Sequence, residues 1–222
     1  MRINRFIAQA TGMSRRAADA VLADGRVLID SAQASAGAQI EAHNHVTLDG
    51  KPLTAPAATT TVMLNKPAGY VCSRNGQGSR TIYELLPPDL QQLKAVGRLD
   101  KYSSGLLLLT NDGALAQSLT HPKYHKTKIY EIALDKPLAP LHRQMVAEFG
   151  VQLQDGPSKF ALERLHDRDD TRWRVTMHEG RNRQIRRTFE ALGYNVIKLH
   201  RTQFGEYKLT PDIRVGSIKS LS

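Results

Sequence analysis

The sequence predicts an α+β protein in two parts: a small, basic, helical module followed by a longer segment of strands with few helices. Three observations predict it. Apolar residues recur at helical spacing only near the start and in one late segment. Between them lie short alternating or wholly apolar stretches separated by turn signals, without the regular strand–helix alternation of a parallel sheet. The stretch Pro52 to Thr61 is rich in Pro, Ala and Thr, carries no charge after Pro52 and has no amphipathic period. It reads as a linker that divides residues 1–57 from 58–222.

Each element follows from its residues. Ile3, Phe6, Ile7 and Ala10 recur at i, i+3, i+4 and i+7, one helical face, and Gly12 ends it. Ser14 is placed to cap a second helix carrying Ala17, Ala18, Val21 and Leu22, which Gly25 closes. Strands are expected at Arg26 to Asp30 and at Val46 to Leu48, with Asp49-Gly50 as a turn. In the second part Thr61 to Leu64 and Gly105 to Leu109 read as strands. The first ends at Asn65-Lys66-Pro67 and the second stops at Asn111-Asp112-Gly113. Lys128 to Leu134 alternates, placing Tyr130, Ile132 and Leu134 on one face. Arg172 to His178 does the same with Trp173, Val175 and Met177. A helix is expected from Asn182 to Leu192, ended by Gly193. No repeat of 20 to 50 residues points to a solenoid.

Charge narrows the function. A net charge of +10 over 222 residues, with the cations clustered, favours a polyanionic partner. The single cysteine, Cys72, rules out an intrachain disulfide and cysteine-rich zinc sites. The apolar run Leu106 to Leu109 is far short of a membrane span, and the N-terminus lacks the apolar core of a secretory signal. A cytoplasmic location and a monomer are the default expectations, with no membrane partner. The chain offers no Walker loop and no GxGxxG fingerprint, and His43 and His45 have no ligand pattern around them. No cofactor and no metal are expected.

Arg2, Arg5, Arg15, Arg16 and Arg26 fall in the first 26 residues. Arg15 and Arg16 sit at a helix N-terminus, where backbone N–H groups also attract phosphate. Charge alone is equally met by a solvated helical face. Three segments add to it: Arg2-Ile3-Asn4-Arg5-Phe6-Ile7-Ala8, Ser14-Arg15-Arg16-Ala17-Ala18-Asp19 and Gly25-Arg26-Val27. With these, the module resembles the S4 RNA-binding domain. It departs from that pattern at Asp30-Ser31, where Asn-Gly is usual, and at His43-Asn44, where Gly-Asp is usual.

Four later segments stand out: Asn65-Lys66-Pro67-Ala68-Gly69-Tyr70; Gly97-Arg98-Leu99-Asp100 running into Ser104-Gly105-Leu106; Lys128-Ile129-Tyr130-Glu131-Ile132; and Glu179-Gly180-Arg181-Asn182-Arg183-Gln184-Ile185-Arg186-Arg187. Singly, each has an ordinary explanation: a strand-ending turn, a turn-forming aspartate, a core tyrosine, a solvated helix face. In the last segment Ile185, Phe189 and Leu192 make the buried stripe. Its four arginines repel one another, and only Glu190 lies near in sequence to offset them, which favours RNA phosphate or an active-site carboxylate as their counter-ion.

In this order and spacing, together with Thr110-Asn111-Asp112-Gly113, the segments resemble the catalytic domain of the S4-bearing ribosomal pseudouridine synthases. The resemblance implies a mixed, mainly antiparallel sheet with flanking helices and a cleft across its middle. It implies isomerisation of a uridine in ribosomal RNA, or in a ribosome-assembly intermediate, without cofactor. The Arg-Asn-Arg-Gln-Ile-Arg-Arg form looks more like the large-subunit members. Asp100 matches the catalytic aspartate, which attacks C1′ or takes a proton from C2′. Tyr130 matches the residue that stacks on the flipped base, and base–aromatic stacking is worth roughly 1–3 kcal/mol. Arg186 is expected to pair with Asp100. Lys66 is the basic residue of the first motif, Arg98 is placed to fill the gap left by the flipped base, and Arg183 joins Arg15 and Arg16 as RNA contacts. The rival readings are a non-catalytic S4-type RNA-binding factor and, on charge alone, a DNA-binding protein.

Overall fold

The computed structural model describes residues 1–54 and 59–221. The chain separates into two compact units, Met1–Thr59 and Thr60–Ser222. The boundary expected between residues 57 and 58 lies outside the described residues.

In the first unit, helix α1 (Ile3–Thr11) ends as its spacing predicts. Gly12 takes φ 77° and its N–H reaches the Ala8 carbonyl at 3.1 Å. Helix α2 (Arg15–Ala23) starts where the Ser14 hydroxyl accepts from the Ala17 N–H at 3.1 Å. Ile3, Ile7, Ala18, Val21 and Leu22 pack with Val27 and Val46 into a small core. The sheet runs β1 (Val27–Ile29), β2 (Ala32–Gln33), β3 (Val46–Leu48) and β4 (Lys51–Leu53), in the order β2-β1-β3-β4.

Two of these strands were not expected. Asp30 and Ser31 have φ 48° and 71°, so they form the same mirror-image turn that Asp49-Gly50 forms at 52° and 74°. Without glycine, the first turn is held by the Asp30 carboxylate, which accepts from the His45 N–H at 2.7 Å and the Asn44 amide at 2.6 Å. The second turn carries the chain back through Pro52, so Pro52 and Leu53 belong to a strand and the expected linker is shorter than its composition implied. Proline fits because β4 is an edge.

The second unit contains β5 (Thr61–Lys66), β6 (Lys94–Val96), β7 (Ser104–Thr110), α3 (Gly113–Thr120), β8 (Lys128–Leu134), α4 (Pro140–Gln144), β9 (Val151–Leu153), β10 (Gly156–Ser158), β11 (Ala161–Arg164), β12 (Arg172–Met177), α5 (Gln184–Ala191), β13 (Val196–Phe204), β14 (Tyr207–Lys208) and β15 (Ile218–Ser220). Among the described residues β9 and β10 form a separate hairpin, and the rest make a nine-stranded sheet. Its order is β11-β12-β8-β13-β7-β5-β15, with β14 on β13 and β6 on β7. The pairings are antiparallel except β13 with β7, which is parallel. This is the mixed, mainly antiparallel sheet that the resemblance implied.

The continuous leucines of β7 follow from burial on both faces. Leu107 and Leu109 enter the larger core with Val62, Leu64, Tyr130, Ile132, Trp173 and Phe189. Leu106 and Leu108 enter a second core with Met63, Leu119 and Phe204. At the parallel seam, strand β7 comes so close to β13 that a Cβ on Gly105 would lie 2.3 Å from the Arg201 carbonyl oxygen. Gly105 also takes φ 101°, and both requirements exclude a side chain. Among the described residues no helix is long and apolar enough to cross a membrane.

Candidate active site

A cleft of about 1040 Å³ opens in the second unit, and Asp100, Arg98, Lys128, Tyr130, Arg183 and Arg201 are among its lining residues. Its first wall is the loop between β6 and β7. Leu99 anchors this loop in the core, exchanging hydrogen bonds with Cys72: its N–H donates to Sγ at 3.4 Å and the thiol donates to its carbonyl at 3.3 Å. The adjacent Arg98 is exposed and Asp100 is half-buried at the cleft.

The loop backbone is fixed by cations. Lys66, the last residue of β5, is fully buried. Its Nζ donates to the carbonyls of Ser103 at 2.7 Å, Pro67 at 3.0 Å, Asp100 at 3.3 Å and Lys101 at 3.5 Å. Arg186 takes the remaining carbonyl, Tyr102, through Nη2 at 3.1 Å. Four successive carbonyls, 100 to 103, therefore each face a charged donor, so the backbone that carries Asp100 is held by charge-assisted bonds. Burial pushes the Lys66 ammonium down to about 8, while Cys72 and Asp100 pull it up.

These same bonds leave the Asp100 carboxylate free. Among the described residues no side chain donates to it, and no ion pair within 4.0 Å joins it to Arg186. The expected pairing of Arg186 with Asp100 is not made here, because backbone carbonyls take the arginine's donors. Arg186 is held by Tyr102 and, through Nη1, by the Val196 carbonyl at 2.6 Å, and its buried Nε has no partner. Burial and the charge of Arg183 push Arg186 below the usual arginine value, and Asp100 acts in the opposite direction.

The second wall is the arm before α5. Sequence spacing offered these arginines little nearby acid; in the structure Glu179 lies 3.5 Å from Arg181, and the turn of the β9–β10 hairpin supplies a second acid. Asp155 accepts from Arg187 at 2.7 and 3.0 Å and from Arg181 at 3.0 Å. Arg181 also bonds the carbonyls of Asp155, Gly156 and Pro157. For these two arginines the expected counter-ion, RNA phosphate or an active-site carboxylate, is replaced by Asp155 in the hairpin turn, and the hydrogen bond from Arg187 holds Asp155 below the usual carboxylate range. Gln184 is buried and donates to Ser158 and Glu179. Arg183 differs: it takes φ 47° at the start of α5, and its exposed side chain has no partner among the described residues. That left-handed residue also explains why the helix begins at Gln184 rather than Asn182.

Tyr130 lies on the inner face of β8, 8% exposed, and reaches the cleft. Within the first unit, taken by itself, Arg15 and Arg16 are exposed, and Arg15 donates to Asn4 at 3.2 Å. Among the described residues no cluster of three or more His, Cys, Asp or Glu is placed to hold a metal ion.

Two lining or supporting groups escaped the sequence reading, Asp155 and Arg201, and Lys128 was read within its motif but given no role of its own. Arg201 had no local signal, because β13 mixes polar and apolar residues (Val-Ile-Lys-Leu-His-Arg-Thr-Gln-Phe). Asp155 had one, since Asp155-Gly156 is a turn dipeptide.

The family model for RNA pseudouridylate synthase matches residues 60–191, more than half of the chain. The chain belongs to the RNA pseudouridylate synthase family. It is thus an isomerase of that family, and both walls of the cleft lie within or beside the matched region. The chain is 37% identical over 224 residues to "Ribosomal small subunit pseudouridine synthase A" of Yersinia pestis, covering all of this chain and 95% of the relative. It is 35% identical to "Ribosomal large subunit pseudouridine synthase B" of Xanthomonas campestris pv. campestris, covering 47% of that longer protein. Among solved structures, a pseudouridylate synthase at 33% identity superposes with a TM-score of 0.71 over the whole of this chain and 96% of that one.

Proposed function

We propose that this pseudouridylate synthase isomerises a uridine of ribosomal RNA, with Asp100 as the catalytic carboxylate. One observation carries the assignment of Asp100. Lys66 holds its carbonyl and Arg186 that of Tyr102 in the same loop, while its carboxylate stands free in the cleft. A structural aspartate would have its oxygens occupied, as those of Asp155 are. The free carboxylate acts on the sugar, either as nucleophile at C1′ or as base toward the C2′ hydrogen. Tyr130 stacks the uracil, which leaves the RNA helix at a cost of about a few kcal/mol. Arg98 occupies the gap left behind, and Arg186 orients the loop of Asp100 from behind. We read residues 1–57 as an S4-like docking module, on the strength of its two capped helices and the exposed Arg15 and Arg16. The enzyme works as a cytoplasmic monomer on ribosomal RNA or an assembly intermediate.

Two grounds bear on the target. The Arg-Asn-Arg-Gln-Ile-Arg-Arg motif favours a large-subunit uridine. The small-subunit relatives, matched along nearly their whole length, favour a small-subunit one. A pseudouridine map of ribosomal RNA from cells with and without the gene, complemented by wild type or by Asp100→Asn, tests all of this. One ribosomal site should vanish and return with wild type alone. Return of the site with Asp100→Asn would remove Asp100 from the chemistry. No lost site in either subunit would remove ribosomal RNA as the substrate.

A further inference from the structure

Arg201 is an unusual residue to find 2% exposed in the middle of a sheet. Its Nε donates to the Leu106 carbonyl at 2.9 Å, and its guanidinium carbon lies 4.8 Å from the centre of the Phe204 ring. Nη2 is buried and has no hydrogen-bond partner, and among the described residues no carboxylate lies within ion-pair distance of the guanidinium. An unpaired buried charged donor is costly, so a purely structural arginine should be satisfied or replaced. One contact to Leu106 does not require a guanidinium.

Its place in the sheet says what the spare donor faces. Arg201 is in register with Tyr130 on the neighbouring strand, and both line the cleft that holds Asp100. Side chains opposed across antiparallel strands stand about 5 Å apart. Lys66 feels the charges of both Asp100 and Arg201, so both groups lie near its ammonium. A pyrimidine stacked on Tyr130 therefore presents its rim, with the oxygens O2 and O4, toward Arg201.

We propose that Arg201 Nη2 donates a hydrogen bond to a carbonyl oxygen of the target uracil and stabilises the base while it is detached. This rests on the reading of the cleft as the uridine site around Asp100. When the C1′–N1 bond breaks, its electron pair stays on the base and spreads onto O2 and O4. A fixed guanidinium at one of these oxygens favours that charge. The bond from C5 to C1′ then forms, C5 loses its proton, and N1 gains one. Lys128, whose Nζ bonds the carbonyls of Lys126 and Glu179, adds positive potential on the same side.

The test is single-turnover kinetics of the full chain on target RNA carrying uridine, 2-thiouridine or 4-thiouridine at the modified position, since a thiocarbonyl is a poor acceptor. Wild type should slow about tenfold or more on one of the two thio substrates, the size of a lost hydrogen bond to a charged group. Arg201→Met should slow by a similar factor on uridine, with RNA affinity within about twofold of wild type and no further thio penalty. Arg201→Lys should recover part of the rate. Full wild-type speed on both thio RNAs overturns the proposal without any variant having to fold. So does an unchanged thio penalty in folded Arg201→Met, or a penalty that follows a methylphosphonate at the target phosphate instead. Asp100→Asn, run alongside, separates the two levels. If it is active, the reading of the cleft fails. If it is inactive while the Arg201 outcomes fail, only the role of Arg201 falls.

Discussion

The two walls of the cleft are both rich in cations and use them in opposite ways. Around Asp100, Lys66 and Arg186 spend their donors on backbone carbonyls, and the carboxylate is left unpaired. Around Arg183, the neighbouring arginines are bound by a carboxylate, Asp155, and one arginine is left unpaired. The first wall exposes an anion and the second a cation, which on the proposed reading serve the sugar and the RNA chain. In each, the group that stays free sits on a backbone that the occupied groups have made rigid. Unlike partners, carbonyls on one side and a carboxylate on the other, decide which sign of charge remains available.

Removing the clamp should break this contrast most severely. Lys66→Met leaves the carbonyls of the Asp100 loop without their donor, and turnover in a single-turnover assay should fall by about a hundredfold or more. The same variant reveals the cost of holding the ammonium. Because the folded value of about 8 lies below the ordinary 10.5, the native state binds fewer protons than the unfolded chain between those limits. The unfolding free energy of wild type, measured against Lys66→Met, should therefore rise between pH 8 and 10.5. The gain is roughly 3 kcal/mol at about 1.4 kcal/mol per unit, absent below pH 8. A flat difference would show that Lys66 titrates normally.

The opposite wall should respond more mildly. Asp155→Ala releases Arg181 and Arg187, so RNA binding should become more steeply salt-dependent while turnover drops several-fold as the arm loses its order. If the slope is unchanged, the two arginines are held by the carbonyls of the hairpin alone. The smallest effect belongs to the exposed cations that no acid pairs among the described residues. Arg183→Ala and Arg15→Ala should each weaken binding across RNA sequences and make the plot of log affinity against log salt shallower by about 1. A loss confined to one RNA sequence would mean base reading instead of phosphate contact.

The local elements of this fold were readable because their causes are local. Lys128 to Leu134 alternates and forms a strand with those bounds, and Gly12 and Ser14 end and start helices by their own geometry. The central strand β13 was missed because two register shifts, after Val196 and after Arg201, break its period of two. The helix α3 was read only as a strand-ending turn, although Asp112 caps it at 2.8 Å. At the site, Asp100 and Tyr130 were reached through motif order. The partner of the arginine arm was not, because Asp155 lies 26 and 32 residues from Arg181 and Arg187. Lys66 was recognised as a residue, but its task depends on a loop 34 to 37 residues away, and nothing in its own neighbourhood encodes it.

The Gly105 seam has a consequence for tolerance. Lys66 and Asp100 ride on the β5–β7 side of the sheet, while Tyr130 and Arg201 ride on the β8–β13 side. Two residue pairs, His200 with Ser104 and Arg201 with Gly105, join the sides across the parallel contact. Slipping that junction by a single notch would slide one half of the site past the other by about 3.3 Å. That is the width of a reacting contact. The absent methyl group of one glycine thus works as an alignment pin, setting the distance between a carboxylate and an aromatic ring that never touch it.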